Sequence, residues 1–436
     1  MKAISMAIAF AVALFVFPNV ARAQFLVVDC SGLDPYAFPS ISSALPSAGP
    51  GAFIAVTGAC SENVSINGAV NLTLGAFFGQ TVALNGNLSI NNSQNVFVYG
   101  LNVTNNFGDG IDVNSSRSVV LDNCTSNGNA GNGLTVSPIS DVNIIAFGAF
   151  SDNGGDGIFV GNISFVNINS WGGTTEISNN QNSGLGIFSG NFSTIGSTHI
   201  ANNGRNSAPA IDMRGAGKAQ IGSFYSSNII ENNLNGGISL QENAEISLWS
   251  LQQFSGPNIV RNNGPFGVEA GFGSQVTLVG AQITGHTGPG ADIYAHSQLY
   301  GSSQLPGLGI VQIQNNGTAG NPLSAAIRVD GNSEALLRGV TISQNHGPAI
   351  LALVNSSADF AGNTFNSNAG VITCDSSSTM VSDLGIAART PAGGVRCTTA
   401  HTLGNRVASV PTPAVPDVSV WKKMHSNYQQ RSTARK

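Results

Sequence analysis

The stretch Asn105-Asn-Phe-Gly-Asp-Gly-Ile111 returns along the chain with its order of residue types kept. It reappears as Asn153-Gly-Gly-Asp-Gly-Ile158, Asn232-Asn-Leu-Asn-Gly-Gly-Ile238, Asn262-Asn-Gly-Pro-Phe-Gly-Val268, Asn345-His-Gly-Pro-Ala-Ile350 and Asn366-Ser-Asn-Ala-Gly-Val371. Each copy is an Asn-rich turn, then Gly, then an aliphatic residue that serves as a landmark. The landmarks are Ile111, Leu134, Ile158, Ile187, Ile211, Ile238, Val268, Ala291, Ile327, Ile350 and Val371, in steps of 23, 24, 29, 24, 27, 30, 23, 36, 23 and 21. A base period near 23 is too long for a hairpin repeat and lacks a Leu framework. It fits one turn of three short strands joined by loops.

Each unit carries a second strand in which apolar and polar residues alternate, as in Val96-Phe-Val-Tyr, Val142-Asn-Ile-Ile, Ile246-Ser-Leu-Trp and Val276-Thr-Leu-Val. Period-two alternation fills an interior with one set of side chains and turns the other to solvent. Five residues before the landmark stand Asn106, Asn129, Asn153, Asn233, Asn263, Asn345 and Asn366. Asn tolerates left-handed backbone, and its amide can bond the same group one rung above and below. A stacked Asn column at one turn is therefore predicted. The expected fold is all-β: a single-stranded parallel β-helix with three-strand rungs and about 11–13 turns.

Composition agrees. Only 9% of the 436 residues are charged and 54 are Gly; Asn, Ser, Thr and Gly replace the usual Lys and Glu, as in a protein of turns and strands. Residues 1–23 read as an export signal: Lys2, an apolar run from Ala3 to Phe17, and Ala21-Arg22-Ala23 as the cleavage pattern. No other stretch is apolar enough to span a membrane. Residues 24–66 would form an N-terminal cap and first rung, and 67–404 the β-helix with a disulfide-closed C-terminal cap. Residues 405–436 would form a flexible basic tail behind the Val410-Pro-Thr-Pro-Ala-Val-Pro416 linker.

Five Cys in an exported chain suggest disulfides. Cys30 with Cys60, and Cys374 with Cys397, would staple the two ends, leaving Cys124 as a small buried apolar residue. From Gln24 to Gly404 there are 9 basic against 21 acidic residues, a net of −12. That excludes nucleic acid as a partner, since its phosphates demand a basic surface. A polysaccharide or cell-surface polymer is the expected partner, and a monomer the expected state.

The opening Val28-Asp-Cys30, Phe38-Pro-Ser-Ile-Ser-Ser-Ala-Leu45 and Phe53-Ile-Ala-Val-Thr-Gly-Ala-Cys-Ser-Glu-Asn-Val-Ser-Ile66 resembles that of right-handed parallel β-helix proteins of the pectin lyase-like superfamily. The resemblance covers roughly residues 26 to 400. It implies a capping segment before the first rung and a right-handed coil, in line with the general rule for parallel crossovers. It specifies a fold and not a chemistry. The paired-Asp and Gln motifs of pectin esterases do not follow the opening. Asp109-Gly-Ile-Asp112 resembles a fragment of the polygalacturonase signature, without its Asp-Asp or Gly-His-Gly.

Aligning rungs shows where chemistry could gather. The residue after each landmark points outward and reads Asp112, Thr135, Phe159, Phe188, Asp212, Ser239, Glu269, Asp292, Arg328, Leu351 and Ile372. Two positions on, Arg214, Tyr294 and Asp330 appear. Rungs lie about 4.8 Å apart, so Glu269, Asp292 and Arg328 would be neighbours and could serve as an acid/base pair steadied by a cation. Asp212, Arg214, Tyr294, Asp330, Phe159 and Phe188 would contact a glycan. Mutual pairing across rungs would equally explain the charges as a solvated face.

Two residues before the landmark, Asp109, Asn132 and Asp156 could hold Ca²⁺ through oxygen ligands, although Asp-Gly and Asn-Gly are also common turn pairs. No His pair has metal-ligand spacing, so no metal and no cofactor are otherwise implied. Two function classes stand: a carbohydrate-active protein, with lyase- or glycoside hydrolase-like activity if it turns over, and a non-catalytic structural or adhesive extracellular solenoid.

Overall fold

The computed structural model describes residues 24–382, apart from 78–79, 105, 171–172, 195–196, 224–225, 252–255, 306, 322 and 376. The expected export signal, Cys397 and the basic tail lie outside the described residues.

Every rung repeats the same three-sided turn, because each side carries apolar residues at alternate positions that can only be buried against the rung above and below. Thirteen strands, from Val64–Asn67 to Gly370–Cys374, stack into one sheet. Eleven of them contain the landmark residues or their neighbours, and together the thirteen form the landmark face. A 25-stranded sheet supplies the other two sides. Its register separates it into two ladders, one running from Phe25–Asp29 to Thr379–Ser382 and one from Val82–Asn85 to Thr364–Asn366. The two join because the nine-residue strands Val119–Asn127 and Asp141–Ala149 run through the corner and pair in both ladders. All pairings between strands are parallel, as a β-helix requires, and the coil makes about 14 turns, one more than the upper end of the expected range.

Alternation places the core as expected. Val96, Val98, Val142, Ile144, Ile246, Leu248, Val276 and Leu278 have no exposed surface. Full burial of an aliphatic side chain contributes about 1.5–3 kcal/mol. A short helix, Ile41–Ala44, closes the N-terminal end with Ile41 and Ala44 buried. The Glu62 carboxylate accepts from its first amides, Ile41 N–H (2.7 Å) and Ser42 N–H (3.0 Å), where the helix dipole favours negative charge. The Cys30–Cys60 disulfide ties this cap to the first rung. Cys374 is also disulfide-bonded, and its expected partner lies outside the described residues. Cys124 is a buried free thiol that burial pushes up to about 12.

The Asn column is present and longer than the sequence pattern showed. Asn129, Asn153, Asn180, Asn203, Asn233 and Asn263 follow one another, each side-chain amide donating to the next Oδ1 at 2.7–3.0 Å. His286 takes the next place: Asn263 N–H donates to its Nδ1 at 3.2 Å, and His286 N–H donates to Asn316 Oδ1 at 3.2 Å. Asn345 and Asn368 complete the column. Asn203 and Asn316 escaped the five-residue spacing because their turns are longer, and Asn180 because it precedes Leu185, not Ile187, by five residues. Asn366 is not in the column; it ends the strand Thr364–Asn366.

Two landmarks need correction. Ile158 pairs with Leu185, and Leu185 with Ile211. Leu185 and Ile187 both point inward, so alternation alone accepts either. Ile350 pairs with Ile372, not Val371, and a one-residue slip exchanges the two faces of a strand. The first outward column therefore carries Gly186 and Thr373 in place of Phe188 and Ile372, and Phe188 moves to the second column beside Gly161 and Arg214.

Candidate functional site

The landmark face brings the expected residues together in two groups. In the upper group Glu269, Asp292 and Arg328 are direct neighbours on successive rungs. Arg328 grips Asp292 with both arms, Nε to Oδ1 at 2.8 Å and NH2 to Oδ2 at 2.7 Å. Tyr294 donates its hydroxyl to Glu269 at 2.7 Å. A Cβ at Gly271 would lie 2.5 Å from the Tyr294 ring. The ring thus rests on bare backbone one rung below its own strand, and this posture lets its hydroxyl reach Glu269.

Burial raises the Asp292 carboxyl to about 6; Arg328 pulls it down, while Glu269 and Asp330 push it up. Burial, then the bond to Glu269, raises the Tyr294 hydroxyl. Desolvation outweighs the like charge of Glu269 and Asp330 as the cause of the raised Asp292 carboxyl.

The lower group includes residues that sequence reasoning assigned only to a turn or to Ca²⁺. Asp112 has its carboxyl raised to about 6, by burial first and then by the charge of Asp109. Asp156 is raised to about 7 by burial, with Asp212 and Asp109 adding to the rise and the Ser183 amide opposing it. Asp156 and Asp212 flank the rung of Leu185, where the outward residue is Gly186. A Cβ there would collide with Asp156 Oδ2 and meet the Phe159 ring at 3.4 Å. The missing side chain is what lets the two carboxyls sense each other.

Phe159 also lies over Gly161 and packs against Phe188, with centroids 5.7 Å apart and ring planes at 35°. Arg214 sits over Phe188 at 5.6 Å and pairs with Asp212 at 3.0 Å. Phe188 is 40% exposed. The signal for this group was available in sequence only once the Leu185 rung was in register.

The column expected to be a turn or a Ca²⁺ site makes turn hydrogen bonds. Asp109 accepts from Asn132 N–H (2.7 Å) and Thr135 Oγ1–H (2.6 Å), Asn132 Oδ1 from Asp156 N–H (2.7 Å), and Asp156 Oδ1 from Ser183 N–H (2.9 Å). Among the described residues, Cys30, Cys60 and Glu62 bring potential metal ligands together. The two sulfurs are consumed by the disulfide, and Glu62 holds helix amides.

A different charged chain runs along the ladder from Val82–Asn85 to Thr364–Asn366. His199 bridges Glu176 (Nδ1, 2.8 Å) and Glu231 (Nε2, 3.0 Å), and Arg261 closes on Glu231 at 2.6 Å. Arg261, then burial acting in opposition, then His199 set the lowered Glu231 carboxyl.

No protein-family model matches the chain, and no curated protein sequence does. Solved structures are similar to it. The A-module of an Azotobacter vinelandii mannuronan C-5 epimerase is 16% identical over 78% of this chain and 93% of that one, with a TM-score of 0.46. The pectate lyase Pel9A is 12% identical, covering 76% and 78%, with a TM-score of 0.41. A family 28 exopolygalacturonase of Yersinia enterocolitica is 11% identical, covering 81% and 79%, with a TM-score of 0.35. The chain's own strand ladders make it an all-β parallel β-helix. Among its described residues no helix is long and apolar enough to cross a membrane.

Proposed function

We propose that this β-helix is an exported protein that binds an extracellular polysaccharide along its landmark face and carries the acid/base groups to modify it. The observation that carries the reading is the lower group. Phe159 and Phe188 offer an aromatic surface, and beside them Asp112 and Asp156 keep their protons to about pH 6 and 7. Aromatic surface binds the C–H faces of sugars, and a carboxylic acid still protonated near neutrality can protonate a glycosidic oxygen. Asp156 is then the general acid and Asp212 its partner carboxyl. Glu269, Asp292, Arg328, Tyr294 and Asp330 continue the binding surface toward the C-terminal end.

The charge of the face narrows the polymer. Seven carboxyl side chains, Asp109 through Asp330, stand against Arg214 and Arg328, and both guanidiniums are already engaged by Asp212 and Asp292. A polymer of neutral sugars meets no repulsion there, whereas a polyuronate does. Export is supported by the Cys30–Cys60 disulfide, which persists in oxidising compartments.

The test is a panel of neutral and acidic polysaccharides assayed for binding and for reducing-end or unsaturated products, with Asp156→Asn, Phe159→Ala and the pair Glu269→Gln and Asp292→Asn. Loss of binding in Phe159→Ala, and of turnover in Asp156→Asn, is expected. Wild-type behaviour in every variant would remove the face from consideration. The Arg328–Asp292 and Arg214–Asp212 pairs favour a second reading, a non-catalytic solenoid with a self-neutralising face; binding without any product would select it.

A further inference from the structure

An open groove of about 320 Å³, with most of its lining residues exposed, lies at the N-terminal end of the landmark face, a volume at the low end of small-ligand sites. One wall is the cap, with Leu45, Pro46 and Gly49; the other is the turn carrying Val70; Ser65 and Asn67 from the first landmark strand also line it. None of its lining residues is ionisable. The two polar residues continue the outward columns of the face. Ser65 pairs with Ser89 and Ser89 with Asp112; Asn67 pairs with Asn91 and Asn91 with Asn114. Asn67 Oδ1 accepts from Asn91 at 3.0 Å, and Asn91 Oδ1 from Asn114 at 3.2 Å. Ser65 Oγ accepts from Asn67 Nδ2 at 3.0 Å.

A track of hydroxyls and amides therefore leads from Asp112 down two rungs, roughly 10 Å at the usual strand spacing. It ends against the cap in an uncharged pocket with proline and aliphatic walls. We propose that this groove receives the terminal, neutral sugar of the polymer bound along the face, so that the protein recognises a chain end. The inference rests on the polysaccharide reading above and adds a fixed starting point to it. The cap wall that stops the chain sets its register, placing the same linkage beside Asp112 and Asp156 in each encounter. A face open at both ends would let the chain slide.

Gly49 provides the test. A Cβ there meets no atom within 4 Å, and its backbone is not left-handed. Gly49→Phe can fill the groove without disturbing the fold, which an unchanged melting temperature will verify. Neutral β-1,4-linked hexasaccharides of glucose, mannose and xylose, and a hexauronate for comparison, are titrated against the full chain, each free, labelled with a bulky fluorophore at the reducing end, and blocked at the non-reducing end. The expected result is at least tenfold weaker binding when one of the two ends is blocked. Gly49→Phe should weaken the free sugar by a similar factor, and the effective block should cost that variant nothing more. Binding that survives Gly49→Phe and both blocks within twofold, yet is lost in Phe159→Ala, overturns the groove proposal and leaves the face reading intact. No binding of any neutral or acidic polymer by the wild type removes both. Preference for a uronate end overturns the neutral-sugar assignment.

Discussion

Asp156→Asn probes the candidate site through stability alone, before a ligand is known. Burial holds the Asp156 carboxyl at about 7, against about 3.9 for an unfolded Asp. The folded chain therefore binds this proton more tightly than the unfolded chain does. Asp156 is neutral to stability well below about pH 3.9, and its cost grows as pH rises through about 7 and then levels off. A gap of about three pH units, at about 1.4 kcal/mol each, sets a ceiling near 4 kcal/mol at pH 8 and about 0.5 kcal/mol at pH 4. Asp156 is only partly sealed from water, so about half that ceiling is expected.

Asparagine keeps the Oδ1 that accepts the Ser183 amide at 2.9 Å, so the substitution removes the charge and leaves the turn. Urea unfolding of both proteins at pH 4 and pH 8 should show them nearly equal in acid, with the variant ahead by about 2 kcal/mol in base. Stacked repeats can open locally, so exchange of the Ser183 amide should also slow in the variant at pH 8. A stability difference that is the same at both pH values, or a variant weaker at pH 8, refutes the account. A gain in stability with a loss of turnover would mark Asp156 as retained for chemistry at the expense of the fold.

Other outcomes follow from the same geometry. Burial lowers the His286 imidazole, against the opposing pull of the Asn263 and Val260 carbonyls. Its stabilisation is thus complete above the ordinary value near 6.5 and declines below it, by up to about 1.4 kcal/mol per pH unit until the folded value is reached. His286→Asn restores an amide to the column and should flatten that decline in melts between pH 7.5 and 5. Replacing Cys30 and Cys60 with Ala should cost about 2–4 kcal/mol, read as a lower urea midpoint; the reduced wild type should fall at least as far, because reduction also opens the Cys374 disulfide. Cys124, buried with its thiol near 12, should resist alkylation until the chain unfolds. Gly271→Ala should lift the Tyr294 ring and break its bond to Glu269, lowering affinity for any bound glycan in titration calorimetry without a large change in melting temperature.

The repeat, the inward residues and the charged column after each landmark were legible because a strand alternates with period two and the coil repeats its turn. Glu269, Asp292 and Arg328 each follow a landmark on consecutive rungs, and the structure places them side by side even though the second step is 36 residues. The Phe188 position was not legible. In Leu185-Gly-Ile-Phe188 two inward aliphatics stand two apart, and both satisfy the pattern. Only pairing with Ile158 and Ile211 selects Leu185.

Sequence by itself determined that this chain is a parallel solenoid with an outward face where scarce charge collects. Those properties depend on residue type and interval, which local backbone geometry translates directly into inside and outside. Tertiary structure decided which charges act on one another. Asp156 and Asp212 are 56 residues apart and meet across a glycine on the rung between them. Arg328 neutralises Asp292 instead of standing free, and the cap turns the end of an open face into a groove. Burial and charge coupling depend on distances of a few ångströms between separate turns of the coil, and no interval along the chain encodes them.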